Sequence, residues 1–173
     1  MPKLVMVHRQ DEISKQAHDY VKSYILLPSG LLGLVSMVGG VGALGYQLIA
    51  TDNYTWMTFY QSSGLVLLGV VMGIAQTKYQ QYLFRQFPDV FAARMRLASI
   101  KKGKKPPADS SVRAIEHPGR GLVPVAYLVG GGLLVGASAW CGFMGQVIGL
   151  AALLMPWVGF YWARLFFWRK VVS

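Results

Sequence analysis

Four long apolar stretches dominate the pattern of the chain. Residues 24–50, 54–76, 122–140 and 143–162 contain no Asp, Glu, Lys, Arg or His. A helix needs about 20 apolar residues to cross the hydrocarbon core of a bilayer, because each residue adds only about 1.5 Å. Each stretch reaches that length, so the pattern predicts four transmembrane helices.

Short segments join these stretches in pairs. Thr51, Asp52 and Asn53 separate the first two, and Cys141 and Gly142 separate the last two. Helices joined by so few residues are expected to be antiparallel neighbours. The predicted fold is an all-α integral membrane protein with two antiparallel transmembrane hairpins, over residues 24–76 and 122–163.

Two polar segments have helical periodicity of their own. In residues 1–23 the apolar positions recur at helical spacing from Ile13 to Tyr24, which indicates a short amphipathic helix. Either it lies in the membrane interface, or it is solvated and packs on a loop of the same chain. In the long segment 77–121, Pro88 is suited to the first turn of another short helix, because that position needs no amide hydrogen. Its expected apolar face contains Val90, Phe91, Met95 and Ala98.

The composition agrees with a membrane protein. Of 173 residues, 54% are apolar and 14% are charged. A soluble domain has about 25% charged residues, since it must cover its surface with polar groups. With one cysteine, Cys141, the chain forms no internal disulfide.

The basic residues predict the orientation. All 17 Lys and Arg lie in residues 1–23, in the 77–121 loop or in the 164–173 tail, and neither short turn contains one. Basic segments stay on the cytoplasmic side because their transfer across the membrane is costly. Both termini and the long loop are therefore expected in the bacterial cytoplasm, or in the matrix or stroma of an organelle, with the spans in the corresponding inner membrane.

Glycine motifs lie inside or beside the predicted spans. The run from Gly40 to Gly45 matches a dinucleotide-binding pattern, but that pattern requires a preceding strand, so we reject nucleotide binding. Small residues instead let membrane helices approach closely. We predict helix packing, within the bundle or against another subunit, for Gly40, Gly45, Gly69, Gly73, Gly132, Gly136, Gly145 and Gly149.

The 77–121 loop contains a cluster of basic residues, which predicts binding to anionic lipids or to an acidic partner protein. The simpler alternative is that topology and solvation account for the whole cluster. Nucleic acid is not an expected partner, since the loop lacks a stacking platform. The cluster consists of Arg94, Arg96, Lys101, Lys102, Lys104, Lys105 and Arg113.

No catalytic, metal or cofactor site is predicted. His8, His18 and His117 lie outside the spans, and no ion-coupling acid or base lies within them. The polar residues of the spans include Gln47, Gln61, Gln76 and Gln146, whose expected role is hydrogen bonding between helices. The loop residues Asp89, Asp109, Glu116 and His117 follow no catalytic spacing, although they would form the site if the chain were an enzyme of lipid headgroups.

These observations favour a non-catalytic structural or assembly subunit of a larger membrane complex, with other membrane subunits and anionic lipids as partners. The complex would belong to respiratory, photosynthetic, ATP-synthesising or secretion machinery. The alternative is a small oligomeric transporter or channel for a neutral or lipid-like solute, and the lipid-headgroup enzyme is a third hypothesis.

Overall fold

The structure of the protein is a computed structural model that describes residues 2–99 and 121–172. Within these residues the secondary structure is entirely helical. Four helices are long and apolar enough to cross a membrane, so the chain is an all-α membrane protein, as predicted. The elements are α1 (Pro2–Tyr20), a π-helical segment (Val21–Leu26), α2 (Leu27–Ile49), α3 (Trp56–Gln86), α4 (Pro88–Ser99), α5 (Leu122–Phe143) and α6 (Gly149–Val172).

The N-terminal segment and the first span form one continuous helix. The junction between α1 and α2 is the π-helical segment, in which the amide of Leu27 donates to the carbonyl of Lys22. Pro28 explains this widening, because proline has no amide hydrogen and its ring crowds the carbonyl four residues earlier. The wider turn thus carries the helix past Pro28 without a break.

The connection between α2 and α3 is longer than predicted and spans residues 50–55. Thr55 caps α3: its hydroxyl accepts from the amide of Thr58 at 3.3 Å, and the Thr58 hydroxyl accepts from the amide of Thr55 at 3.2 Å. This capping box satisfies the first amides of α3 and fixes the start of the helix directly after Thr55. Six extended residues reach about 20 Å, enough to pass another helix.

Helix α6 is the centre of the bundle. It packs most extensively against α3, then against α2, whereas α2 and α3 make almost no direct contact. The helices of the first hairpin are therefore antiparallel but are not neighbours, because α6 lies between them. The prediction that α2 and α3 contact each other directly was wrong, because it assumed that the connection between them is too short to pass another helix.

An aromatic cluster closes one end of the bundle. Ala17 and Val21 are fully buried there together with Trp168, and the Phe84 ring stacks edge-on against Phe91 and Trp168. Helix α4 begins at Pro88 as predicted, and α1 packs directly on it. The amphipathic N-terminal helix thus packs on a segment of its own chain, one of the two alternatives in the sequence.

A network of hydrogen bonds fixes the opposite end. The Gln47 side chain donates to the carbonyl of Gln146 at 2.8 Å and accepts from the amide of Ile148 at 3.1 Å. The buried Thr58 hydroxyl donates to the same Gln146 carbonyl at 2.7 Å. We call this arrangement the polar clamp. It ties the turn between α5 and α6 to both α2 and α3.

The turn of the second hairpin covers residues 144–148, so α5 ends and α6 begins later than the sequence indicated. Gly145 has a φ of +69° in this turn, a left-handed conformation that favours glycine. The sequence signal for the turn was therefore Gly145 rather than Cys141 and Gly142. Gly145 and Gly149 accordingly do not form a helical glycine motif, because Gly145 precedes the helix.

Candidate functional site: the cleft beside α5

Helix α5 is the least packed of the four spans. In its most apolar stretch 11% of residues are buried, compared with 28% in α3 and 33% in α6. Its two buried residues, Leu134 and Ser138, both lie in the half nearer the turn, where Ala137 and Cys141 pack on the core. From Pro124 to Val129 every residue is exposed. The helix is therefore held at one end and stands away from the bundle at the other.

A cleft of about 690 Å³ occupies the space between this free half of α5 and the bundle. Its volume lies within the range of about 300–1,000 Å³ that is usual for small-molecule sites. The lining side chains come from three helices and are nearly all apolar. They are Met72, Ala75, Gln76 and Tyr79 on α3, Leu122, Val123, Ala126, Tyr127, Val129, Gly130, Gly131 and Leu134 on α5, and Trp157 and Phe160 on α6.

Helical spacing explains why these residues share the cleft. On α3, positions 72, 76 and 79 lie on one face, and on α5 positions 123, 127, 130 and 134 do the same. Glycines at 130 and 131 remove side-chain volume in the middle of the α5 face. The cleft therefore follows from one stripe of each helix rather than from an irregular loop.

Polar groups are confined to the end of the cleft near the aromatic cluster. Tyr79 and Tyr127 line that end, and Gln76 lies one turn deeper, with a buried side-chain oxygen that has no hydrogen-bond partner among the described residues. Arg164 follows Phe160 by one turn on the same face of α6. Its guanidinium lies within electrostatic reach of the hydroxyls of Tyr127, Tyr161 and Tyr20.

Arg164 has no acidic partner within residues 2–99 and 121–172. Its side chain is half-buried, and its Nε atom is buried without a hydrogen bond. Buried cations are normally paired or hydrogen-bonded, because desolvation of a lone charge is costly. The cleft thus has a largely apolar interior, and beside its mouth lies a cationic group with no acidic partner among the described residues.

Three of the predicted packing glycines contact α6. A methyl group added at Gly69 would overlap the carbonyl of Pro156, and one added at Gly73 would lie 2.6 Å from the carbonyl of Phe160. Gly40 is buried and would meet Met155 at an ordinary distance of 3.5 Å.

The other predicted glycines have no such neighbour in the part of the chain that the structure describes. A methyl group added at Gly45, Gly132, Gly136, Gly145 or Gly149 would meet no atom within 4 Å. For Gly132 and Gly136, packing against another subunit stays a prediction. Gly145 lies in the turn between α5 and α6, where its positive φ favours glycine.

One packing glycine was missed. A methyl group at Gly159 would overlap the carbonyl of Val66, so the backbones of α3 and α6 touch there. The signal was present in the sequence as Gly159 and Ala163, two small residues four apart, since alanine can replace glycine in such motifs.

The basic cluster falls largely outside the described residues. Arg94 is exposed on α4, with its guanidinium 5.9 Å from the centre of the Phe91 ring. Arg96 lies on the same helix, and its side chain is not among those described. Lys101, Lys102, Lys104, Lys105 and Arg113 lie outside the described residues.

The acidic and histidine candidates are not brought together by the described structure. Asp89 is exposed in the first turn of α4, while Asp109, Glu116 and His117 lie outside the described residues. His18 makes an edge-on ring contact with Phe84 and a hydrogen bond to the carbonyl of Ser14. Among the residues that the structure describes, no group of three or more His, Cys, Asp or Glu is placed to hold a metal ion.

Comparisons of the chain with protein-family models, with curated proteins and with solved structures each find no match.

Proposed function

We propose that this chain is a non-catalytic structural or assembly subunit of a larger membrane complex. The observation that carries the proposal is the exposed outer face of α5, where a methyl group added at Gly132 or Gly136 would meet no atom of the described residues within 4 Å. An apolar face can be surrounded by lipid at no cost in free energy, so its exposure alone does not indicate a partner protein. The pair of glycines, however, would let the backbone of a partner helix approach closely, which is the main attraction available between helices in lipid.

The distribution of basic residues supports an orientation for this subunit. The aromatic cluster brings the N-terminal helix with the π-helical segment, the end of α3, α4 and the end of α6 to one end of the bundle. The Lys and Arg of the described residues all lie in these segments, and the others lie in the sequence between α4 and α5. By the positive-inside rule that end faces the cytoplasm of a bacterium or the matrix of an organelle, in the corresponding inner membrane. The basic loop would then be available to acidic partner subunits or anionic lipid on that side.

The test is the mass of the protein extracted from its own membrane in a mild detergent. A subunit is expected to migrate together with other proteins, at a mass well above that of the 19.1 kDa chain plus its detergent micelle. The double variant Gly132→Leu/Gly136→Leu should release the chain as a free protein. Gly42→Leu is the matched control, because Gly42 is also exposed with no atom near an added methyl group.

Two results would contradict the proposal. One is a wild-type chain that runs alone at native expression. The other is an assembly that survives the double variant unchanged, since the exposed glycines would then have no part in it. Thermal unfolding of each purified variant separates lost assembly from lost folding.

The cleft favours the transporter or channel for a neutral or lipid-like solute as a second candidate. Its interior is largely apolar, and no Asp, Glu, Lys, Arg or His is among the described residues that line it. Flux of candidate solutes through liposomes that contain the purified protein tests this function. If sealed vesicles that contain the protein show no more flux than protein-free vesicles, the transporter or channel function is ruled out.

A further inference from the structure

We propose that the cleft between α3, α5 and α6 binds one anionic glycerophospholipid, with an acyl chain in the cleft and the phosphate beside Arg164. None of the residues that form this site belongs to the basic cluster of the loop, and the site does not depend on the subunit function proposed above. It is argued from the shape of the cleft, from its depth along the bundle and from the unpaired charge at one end.

The shape and lining of the cleft suit an acyl chain. The cleft extends along α5 from Leu134 to Leu122, about 18 Å at 1.5 Å per residue. Its lining over that length is apolar except for Gln76 and the two tyrosines, and it lies among helices predicted to be surrounded by hydrocarbon. Water gains few hydrogen bonds in such a space, so a lipid chain is the natural occupant.

The polar end of the cleft lies where a lipid headgroup would be. Tyr79 and Tyr127 mark this end, and tyrosines concentrate at the interface between hydrocarbon and headgroups. Arg164 is on the cleft-facing stripe of α6, one turn beyond Phe160, and Tyr127 both lines the cleft and lies within electrostatic reach of it. An anion at this level can therefore meet the guanidinium while its chain enters the cleft.

Charge complementarity selects an anionic lipid over a neutral one. Arg164 has no carboxylate partner in the described residues, and its Nε hydrogen is unused. A guanidinium matches a phosphate in charge and in hydrogen-bond geometry, which makes this the strong class of hydrogen bond. A lipid phosphate would supply the acceptor that the described residues do not provide.

The experiment is native mass spectrometry of the full chain released from detergent micelles that contain one probe at a time. The probes are phosphatidylglycerol, phosphatidylcholine with the same acyl chains, and glycerol 3-phosphate. We expect the chain to retain one phosphatidylglycerol about tenfold more than phosphatidylcholine. Both lipids have a phosphate, but the choline ammonium of phosphatidylcholine offsets its negative charge beside the Arg164 guanidinium. Glycerol 3-phosphate should not be retained, because it has no chain to fill the cleft.

Two pairs of variants locate the site. Arg164→Gln should abolish the preference for the anionic lipid, whereas Arg169→Gln, which removes an exposed charge from the same helix, should preserve it. Ala126→Phe should lower retention of both lipids because it fills the cleft. Val125→Phe should not, since Val125 is exposed on α5 and does not line the cleft.

Several outcomes would overturn the proposal. Equal losses in Arg164→Gln and Arg169→Gln would mean a general attraction of lipid to a basic surface. Equal retention in Ala126→Phe and Val125→Phe would mean that no chain enters the cleft, and this pair decides the matter even if Arg164→Gln fails to fold. Retention of glycerol 3-phosphate would indicate an anion site without lipid, and a bound second copy of the chain would identify a helix as the occupant.

Discussion

Helices α3 and α5 both pack against α6, but they do so by different means. Glycines bring the backbones of α3 and α6 into contact. Gly69 and Gly73 on α3 and Gly159 on α6 lie at the points of closest approach. Along α5, one end packs on the core and the other leaves a cleft. Yet α5 is at least as apolar as α3, so apolar character does not determine which helix is buried. In lipid, close approach and hydrogen bonds hold helices together, because hydrocarbon competes equally for apolar side chains.

The largest expected effect is at the closest contact between α3 and α6. Gly159→Ala places a methyl group against the carbonyl of Val66, a backbone atom that yields only if the helix shifts. We expect the free energy of unfolding to fall by about 3 kcal/mol, the upper part of the range for overpacked sites. Denaturation of the purified protein in mixed micelles, followed by circular dichroism, measures this change.

The matched control is Gly136→Ala on α5, the same substitution where no atom lies within 4 Å of the added methyl group. Its effect on the isolated chain should stay within about 0.5 kcal/mol, as for other open positions. If both variants lost a similar amount of unfolding free energy, α5 would be packed as tightly as α3, and the proposed difference between the two helices would be wrong.

A second pair of variants compares the same side chain at the same burial. Leu65 on α3 and Leu134 on α5 are each 3% exposed. Leu65→Ala should cost about 3 kcal/mol of unfolding free energy, because it opens a cavity in a closed core. Leu134→Ala should cost about 1 kcal/mol, because Leu134 borders an existing cleft into which lipid or detergent chains can extend. The same unfolding measurement applies, and equal losses would show that the cleft is closed to lipid chains.

The spans, the short helix at Pro88 and the helical N-terminal segment were predictable from the sequence, because each depends on local pattern. Apolar length defines a span whatever its neighbours are. Pro88 starts α4 through its own backbone chemistry. Boundaries failed where a particular side-chain hydrogen bond decided them rather than the apolar length, as at Thr55, whose capping box depends on Thr58.

The order of the helices in the bundle and the cleft were not predictable from single residues. A glycine motif indicates that a helix can approach another, but it does not say which one. Gly69 and Gly73 pack against α6, whereas Gly132 and Gly136 contact no helix among the described residues. In the sequence Arg164 is only one of the basic residues of the 164–173 tail, whereas the structure places it one turn from a residue that lines the cleft. Partner choice depends on three-dimensional complementarity, which a one-dimensional pattern does not contain.

The smallest expected effect concerns the polar clamp, which holds α5 and α6 to the bundle at the turn. Gln47→Leu removes two hydrogen bonds and leaves the amide of Ile148 without its partner, so we expect a loss of about 1 kcal/mol in unfolding free energy. Gln61→Leu on α3 is the control, because its buried side-chain oxygen has no hydrogen bond among the described residues. That replacement should be neutral or stabilising, since it removes an unsatisfied polar group. A loss of the same size in both variants would show that the clamp has no specific role and that the turn is held by apolar contacts alone.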